Sequence, residues 1–410
     1  MTQKTIEDLL RELAPQVLAA LLRRYGAGQF DICEDAVQEA MIAAIRQWPG
    51  SGRPDDPRAW LITAARRRLI DQIRSETSRR EREQSQALLD RPLVDARVSQ
   101  EDDSVQLLQL CCHPALTVSA QITLTLRAVA GLTTAQIAHA YLLPEATIAQ
   151  RISRAKSRIR EAGAVFPAPA AAGDRLDAVL AVVYVMFSEG HTAASGDLVG
   201  DADLTDQAIH LARVLHAALP DDGEVAGMLA LLLLTDARRP ARTTPAGVLV
   251  PLDEQDRSLW NRPFIEEGIA ILERSLPRGG TGPYALQAAI AAVHAEAPTP
   301  EATDWPQILA LYRLLERETG NPVATLNAAV AEAMVSGPAA GLASIDRLLA
   351  SGRPVDEQRV TAVQAHLLER AGKTAEAVSH YREAARRTRS IPERDYLLAR
   401  ARRLEHPNPR

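Results

Sequence analysis

Hydrophobic residues recur at helical spacing along most of the chain, most clearly between residues 145 and 160. Four of them share one face of a predicted helix, at intervals of four, three and four residues: Ile148, Ile152, Ala155 and Ile159. Polar and cationic residues keep the same spacing on the neighbouring flank: Thr147, Arg151, Arg154 and Arg158, with Gln150 close by. A short helix and a tight turn at residues 142–144 precede this helix. The pattern is typical of a helix-turn-helix that reads the DNA major groove, and the alternative is a helical hairpin with a solvated basic face.

An acidic helix is predicted earlier in the chain, from Glu34 to Trp48. Its apolar residues share one face, and Asp35 and Glu39 point away from that face. A loop rich in Gly and Pro at residues 49–56 ends the helix.

A basic helix follows this loop. It begins at Pro57, a favourable first-turn position, and extends to about Arg82. Its predicted buried residues are Ile62, Ala65, Leu69 and Ile73. Four of its arginines suit contact with phosphates and unstacked bases: Arg66, Arg67, Arg68 and Arg74. Trp60 is expected to pack in the protein rather than to stack on a base.

Polar and Pro-rich stretches divide the chain. The predicted segments are 1–82, a linker at 83–103, a helical unit at 104–162, a linker at 163–174, a helical extension at 175–280 and helical repeats at 281–410. Residues near the C-terminus match the spacing of a tetratricopeptide helix pair: Ala365, Gly372, Ala377, Tyr381 and Ala384. A looser copy lies thirty-six residues upstream: Ala329, Gly341, Ile345 and Leu348.

Composition favours packed helices, because the apolar residues are mostly Ala and Leu and aromatic residues make up only 4% of the chain. We therefore expect an all-α protein. No apolar run approaches the ~20 residues of a membrane span, and the N-terminus lacks a secretory signal core. Three cysteines fit a reducing compartment. These features predict a cytoplasmic protein without a membrane partner.

Charge is unevenly distributed. The net charge is −5, yet residues 1–167 carry +2 and the remainder carries −7. Arginines are concentrated between Arg66 and Arg82, and residues 151–160 hold five cations and no acid. Contact with a polyanion is therefore expected at these two patches rather than over the whole protein.

Three motifs in order resemble one family. The tract CEDAVQEAMIAAIRQW looks like the EDxxQE helix of bacterial sigma-70-type factors of the extracytoplasmic-function (ECF) class. PRAWLITAARRRLIDQIR and GLTTAQIAHAYLLPEATIAQRISRAKSRIR are similar to that family's second and third motifs, in sigma regions 2 and 4. Further tracts, from CCHPAL at residue 111 to TDW at residue 303, resemble a subgroup with a long C-terminal extension that ends in tetratricopeptide-like (TPR) repeats.

The resemblance implies a region 2 helical bundle, a region 4 helix-turn-helix and roles for individual residues. Asp35, Gln38 and Glu39 would bind core RNA polymerase at the beta-prime clamp helices, and region 4 would meet the beta flap. The loop at 49–56 would capture an extruded base of the minus-ten element. The arginines at 66, 67, 68 and 74 would follow the promoter strands. The implied minus-thirty-five residues are Thr147, Gln150, Arg151, Arg154, Lys156 and Arg158.

Two residues depart from the family pattern. Arg67 stands where the family usually has Asn, which adds charge and leaves base reading at that point open. Gln121 stands where the subgroup usually has Arg, so the contact of that residue is open as well.

Other candidate chemistry is weaker. Cys111, Cys112 and His113 could suggest a metal site, but adjacent thiols cannot easily bind one tetrahedral ion, so a buried structural role is favoured. No nucleophile–base spacing or phosphate loop accompanies His191, His294 and Glu189, so we expect no catalysis, metal or cofactor. The tract EQDRSLW at 254–260 is interpreted as an ion-paired turn rather than a ligand clamp.

The leading hypothesis is an alternative sigma factor that joins core RNA polymerase, recognises a two-part promoter and melts it. The extension would regulate that activity in cis, through an intramolecular contact with the sigma domains. The alternative is a helix-turn-helix DNA-binding regulator with a TPR interaction scaffold that does not bind polymerase. The acidic helix with Asp35 and Glu39 argues against this alternative, because a basic polymerase surface would pair with it.

Overall fold

The computed structural model describes residues 6–77, 103–141, 143–167, 175–191, 202–245, 247–276 and 282–406. These residues form α-helices, short 3-10 turns and one isolated antiparallel bridge between Thr243 and Leu249. The all-α prediction is confirmed. None of the described helices is both long and apolar enough to cross a membrane.

The chain forms two compact units, Met1–Val185 and Met186–Arg410. The division falls inside a helix and lies beyond the predicted linker at 163–174, of which residues 168–174 are outside the described part. Of the predicted linker at 83–103, only Asp103 is described. The predicted domain bounds therefore stay predictions.

The first unit contains seven complete helices among its described residues: α1 (Ile6–Tyr25), α2 (Phe30–Ser51), α3 (Pro57–Thr77), α4 (Ser104–Cys111), α5 (Val118–Ala128), α6 (Thr134–Ala140) and α7 (Glu145–Glu161). An eighth helix, α8 (Leu176–His191), begins in the first unit and ends in the second. The helices α1, α2 and α3 pack against one another, and α7 packs on α5, α6 and the 3-10 turn Ala27–Gln29. Residues 104–161 and the first three helices therefore share one packed body.

The residues predicted to be buried in α7 are all correct, and one of those predicted in α3 is not. All four apolar residues of the α7 stripe are buried, Ile148 and Ile159 completely. In α3 the buried stripe contains Leu61 instead of Ile62, which is only half-buried. Leu61 lies four residues before Ala65 and eight before Leu69, so it continues the helical repeat better than Ile62 does.

The second unit is a series of antiparallel helices after α8. They are α9 (Ala202–Ala218), α10 (Gly223–Asp236), α11 (Arg262–Ser275), α12 (Pro283–Glu296), α13 (Trp305–Thr319), α14 (Pro322–Ser336), α15 (Pro338–Ala350), α16 (Glu357–Arg370), α17 (Thr374–Arg387) and α18 (Ile391–Glu405). Each of the helices from α12 to α17 packs on the next one in the chain. Between α10 and α11, residues 237–261 form an irregular segment with three 3-10 turns.

The residues of the predicted repeats lie between these helices. Four of them expose no more than 1% of their surface: Ala365, Ala377, Tyr381 and Ala384. A Cβ added at Gly341 would lie 2.6 Å from the carbonyl oxygen of Ala329, so α15 can approach α14 closely only with glycine at that position. The packing has the helix pairs that a repeat requires, and assignment to the TPR class stays a prediction.

Candidate nucleic-acid interface

The outward flank of α7 presents cationic and polar side chains to solvent. Thr147, Gln150, Arg154 and Arg158 are exposed, and Arg151 is half-exposed. None of these five side chains makes an ion pair or a hydrogen bond with the residues that the structure describes. The flank is therefore free to meet phosphates and base edges, as a groove-reading helix must be.

Lys156 behaves differently from the other cations of α7. It lies four residues after Ile152 and three before Ile159, which places it on the buried face. Its Nζ contacts the carboxylate of Glu34, lies 3.0 Å from Oδ1 of Asp31, and sits 5.6 Å from the ring centre of Phe30. In this conformation Lys156 faces α2 rather than the flank that would meet DNA, and its predicted DNA contact stays a prediction.

Glu34 is the centre of the contact between α2, α5 and α7. Its carboxylate accepts a hydrogen bond of 2.6 Å from Nε of Arg127 and another from Lys156. Gln38 donates a third hydrogen bond, 3.2 Å long, from the next turn of α2. Glu34 and Lys156 are both at least 90% buried. Three elements are thus joined by one desolvated cluster of charges.

The neighbouring carboxylates keep Lys156 charged. Burial alone would lower the pKa of Lys156, but the charge of Glu34 and its hydrogen bond override burial and raise the pKa above its ordinary value. A raised lysine pKa means that the stabilisation is fully present below the ordinary lysine pKa and is lost only as pH rises through the raised value. The contact should therefore be insensitive to pH across the neutral range.

The sequence interpretation assigned a role to Asp35, Gln38 and Glu39 and missed their neighbour Glu34. A signal was present, because Glu34 lies three residues before Val37 and four after Phe30, on the apolar face of α2. An acid on one apolar face and a lysine on another indicate a buried pair, but the sequence alone does not say that these two faces meet.

The opposite side of α2 is acidic and accessible. Asp35, Gln38 and Glu39 are all exposed. Partial burial and the neighbouring carboxylate of Glu34 raise the pKa of Asp35. Glu39 pairs with Arg68 at 3.3 Å, a contact between two half-exposed side chains that contributes little to stability. The three residues form a polar surface separate from the α7 flank.

The arginines of α3 lie beside a cavity. Arg67 and Arg68 are exposed and Arg66 is half-buried, while the side chain of Arg74 is outside the described part. The cavity has a volume of about 620 Å³, and Gln47, Trp60, Thr63, Arg67, Arg68 and Asp71 are among its lining residues. Trp60 packs edge-on against Trp48, with ring centres 5.5 Å apart, and also lines the cavity. An aromatic wall beside arginines can hold an unstacked base.

Cys111, Cys112 and Gln121 are buried within the first unit. Cys111 and Cys112 are buried, and burial raises the pKa of Cys112 to about 12, so its thiol stays protonated. Gln121 donates hydrogen bonds of 3.2 Å to the backbone carbonyls of Cys112 and His113. The amide therefore satisfies carbonyls at the C-terminal end of α4.

We predict that Glu34→Ala destabilises the first unit by about 3 kcal/mol, because it leaves the Lys156 and Arg127 charges buried without their shared carboxylate. Glu39→Ala is the matched control, since it removes an exposed acid of the same helix and should change stability by less than about 1 kcal/mol. Urea denaturation of the full chain measures both. Equal effects of the two substitutions would contradict the role given to Glu34.

Comparisons with known proteins find two family matches in the chain. Residues 9–79 match the family described as sigma-70 region 2, and residues 175–276 match a family of unknown function, DUF6596. An uncharacterized protein of Rhizobium meliloti (strain 1021) is 42% identical over 84% of this chain and 83% of its own length. No solved structure matches the chain.

A named relative covers a smaller part. The protein called probable ECF RNA polymerase sigma factor SigI, of Mycobacterium tuberculosis, is 33% identical over 142 residues. That match spans 33% of this chain and 48% of SigI. The match to SigI, the region 2 match and the relative that spans most of the chain together identify the family. The chain belongs to the sigma-70 family of sigma factors and carries a long C-terminal extension that includes the DUF6596 domain.

Proposed function

We propose that the protein is an ECF-class sigma factor that binds core RNA polymerase, recognises minus-ten and minus-thirty-five promoter elements and initiates transcription. The observation that carries the proposal is the presence of three polar surfaces of different charge on one packed unit of a sigma-70 family member. These are the acidic side of α2, the arginines of α3 with their cavity, and the cationic flank of α7.

Each surface has a chemistry that suits one partner. Asp35, Gln38 and Glu39 would pair with a basic polymerase surface, the beta-prime clamp helices, and so orient the factor. A base extruded from the minus-ten element, expected from sequence at the loop 49–56, would instead enter the cavity beside Trp60, which no residue of that loop lines. Arg67 and Arg68 would follow the phosphates. The flank of α7 would read the minus-thirty-five element, and region 4 would also contact the beta flap.

The alternative function is a DNA-binding regulator with a TPR interaction scaffold that does not bind polymerase. It shares the α7 flank and the extension with the leading proposal, and it gives no role to the exposed acids of α2. Co-purification with core polymerase separates the two functions.

We further propose that the packed first unit is a closed state that must open at a promoter. The two elements are separated by about 25 base pairs, which at 3.4 Å per base pair is on the order of 85 Å. A helix α7 that packs on the 3-10 turn before α2 cannot span that distance. Breaking the Glu34 cluster would free Lys156 to join the cations of α7 on DNA.

The extension is proposed to regulate this activity in cis, through an intramolecular contact with the sigma domains. Support comes from the charge distribution, since residues 168–410 carry a net charge of −7 and could compete with DNA for cationic surfaces. If polymerase instead requires a contact with the extension, the extension would activate transcription rather than inhibit it.

The double substitution Asp35→Lys/Glu39→Lys should abolish promoter-specific transcription and co-purification with core polymerase, because it reverses the charge of the contact surface. Arg154→Ala should instead keep polymerase binding and weaken use of promoters with a minus-thirty-five element, by about 1–3 kcal/mol of discrimination. Run-off transcription with purified core enzyme on a genomic fragment library measures both. The absence of any specific product with the unchanged protein would refute the proposed function.

A cross-link between Gly28 and Arg160 should lock the closed state. A Cβ built at Gly28 lies 4.0 Å from Cγ of Arg160, which places Gly28 and Arg160 side by side as the pair for a Gly28→Cys/Arg160→Cys cross-link. The native cysteines are buried with raised pKa values and should not compete. We expect the oxidised variant to lose transcription and to regain it on reduction, while each single variant stays active. Full activity of the cross-linked form would contradict an obligatory opening.

Removal of the extension tests regulation in cis. A protein of residues 1–167 should differ from the full chain in promoter-specific product by at least severalfold in a run-off assay. Higher activity would indicate autoinhibition by the extension, and lower activity would indicate a contact that transcription needs. Equal activity of the two proteins would exclude regulation in cis.

A further inference from the structure

A cavity in the second unit is large enough for a small molecule. Its volume is about 560 Å³, within the range of ligand pockets in proteins. It lies on the helices α12, α14 and α16, beside the N-terminal half of α13 and the segment Leu252–Arg257.

The repeat places the lining residues in register. His294, Val330 and His366 lie thirty-six residues apart on α12, α14 and α16, and all three line the cavity. Met334 and Arg370 lie one turn further along α14 and α16, again thirty-six residues apart. Equivalent positions of successive repeat units therefore face one common space.

The segment Leu252–Arg257 closes one side of this space. Glu254 pairs with Arg400 of α18 at 2.6 Å, and Arg400 also pairs with Glu369 of α16 at 2.6 Å. At its other end, Arg257 donates hydrogen bonds to backbone carbonyls at the end of α12, including that of His294 at 2.9 Å. The segment is thus fixed at both ends, and it forms one wall of a pocket that stays open to solvent on another side.

Arg257 gives the pocket a buried cation without a carboxylate partner. It is only 9% exposed, its described hydrogen bonds go to carbonyls, and its Nε is buried without a hydrogen-bond partner. Its guanidinium also lies 4.8 Å from the ring centre of Trp260. A buried charge that is only partly compensated favours an anion in the adjacent space.

A second cation lies at the rim. Arg370 is exposed and makes no hydrogen bond or ion pair with the part of the chain that the structure describes. Two acids, Asp253 and Glu301, also line the pocket, but both are exposed to water, where their charge is screened. Glu301 still acts on Arg257 and Asp253 on His366, so the acids offset part of the positive charge that Arg257 and Arg370 bring to the pocket.

The remaining wall is aromatic and neutral. Trp305 and Tyr312 line the pocket, and His294 packs edge-on against Trp305 with ring centres 5.3 Å apart. Burial and the nearby arginines lower the pKa of His294 to about 4, and burial lowers the pKa of His366. Both imidazoles are neutral near pH 7, so with the Asn327 amide they offer hydrogen bonds rather than charge.

We propose that this pocket binds a small organic acid that carries a flat ring. The acidic group would be held by Arg257 and Arg370, and the ring would lie against Trp305 and Tyr312. The EQDRSLW tract, interpreted from sequence as an ion-paired turn, then has two roles: Glu254 fixes the segment in place, and Arg257 provides the anion site. This inference is independent of the proposed sigma-factor function, since it concerns binding to the extension alone.

The test uses the full-length protein and the fluorescent ring acid 8-anilinonaphthalene-1-sulfonate as a probe. We expect saturation at one site per chain and displacement by indole-3-acetate, with much weaker displacement by its neutral analogue indole-3-acetamide. Equal displacement by the acid and the amide would overturn recognition of the acidic group. No saturable binding at millimolar probe would overturn the site itself.

Variants locate the site. Arg370→Met should weaken probe binding about tenfold, as expected for loss of a charge-assisted hydrogen bond. Arg317→Met is the matched control, because Arg317 is an exposed arginine of α13 outside the pocket, and it should leave binding unchanged. Arg257→Met should weaken binding further, and if this variant does not fold, Arg370→Met decides alone. Unchanged binding in Arg370→Met, or equal losses in Arg370→Met and Arg317→Met, would refute the proposed pocket.

Discussion

The buried carboxylate of Glu34 is the contact on which the arrangement of the first unit depends. It joins α2 to Arg127 of α5 and to Lys156 of α7, across 93 and 122 residues of chain. Such a cluster is strongly destabilised when one partner is removed, but two hydrophobic faces could pack equally well in its place. A charged contact therefore suits two helices that are proposed to separate. Once apart, α2 and α7 would each expose a charged side chain at this position instead of an apolar one.

This constraint connects the fold to the proposed activity. The outward flank of α7 is exposed while its other face contacts α2, so the proposed promoter-reading surface is accessible and Lys156 is hidden. The proposed opening would expose Lys156 as a further positive charge on the same helix. Polymerase bound to the acidic side of α2 would lie next to the Glu34 cluster, because Gln38 belongs to that side and donates a hydrogen bond to Glu34.

Local features of the molecule were predictable from sequence, and long-range pairings were not. The apolar stripe of α7 and the small residues between repeat helices follow from spacing within one or two helices, and the structure buries them. The partners of Glu34 and the closure of the extension pocket by the Glu254–Arg400 pair, 146 residues apart, depend on which faces meet in three dimensions. Charged residues at apolar positions of a helix, such as Glu34 and Lys156, were the one local sign that such pairs exist.

The first unit is proposed to be closed when the protein is free and open when it is bound at a promoter. A distance between α2 and α7 tests this proposal most directly. Dyes attached through Arg46→Cys and Glu161→Cys, both at exposed positions, would report this distance by energy transfer in the full chain. Transfer should be efficient in the free protein and should be lost when core polymerase and promoter DNA are added, as the helices separate toward the order of 85 Å. Efficient transfer that persists in an actively transcribing complex would contradict the account.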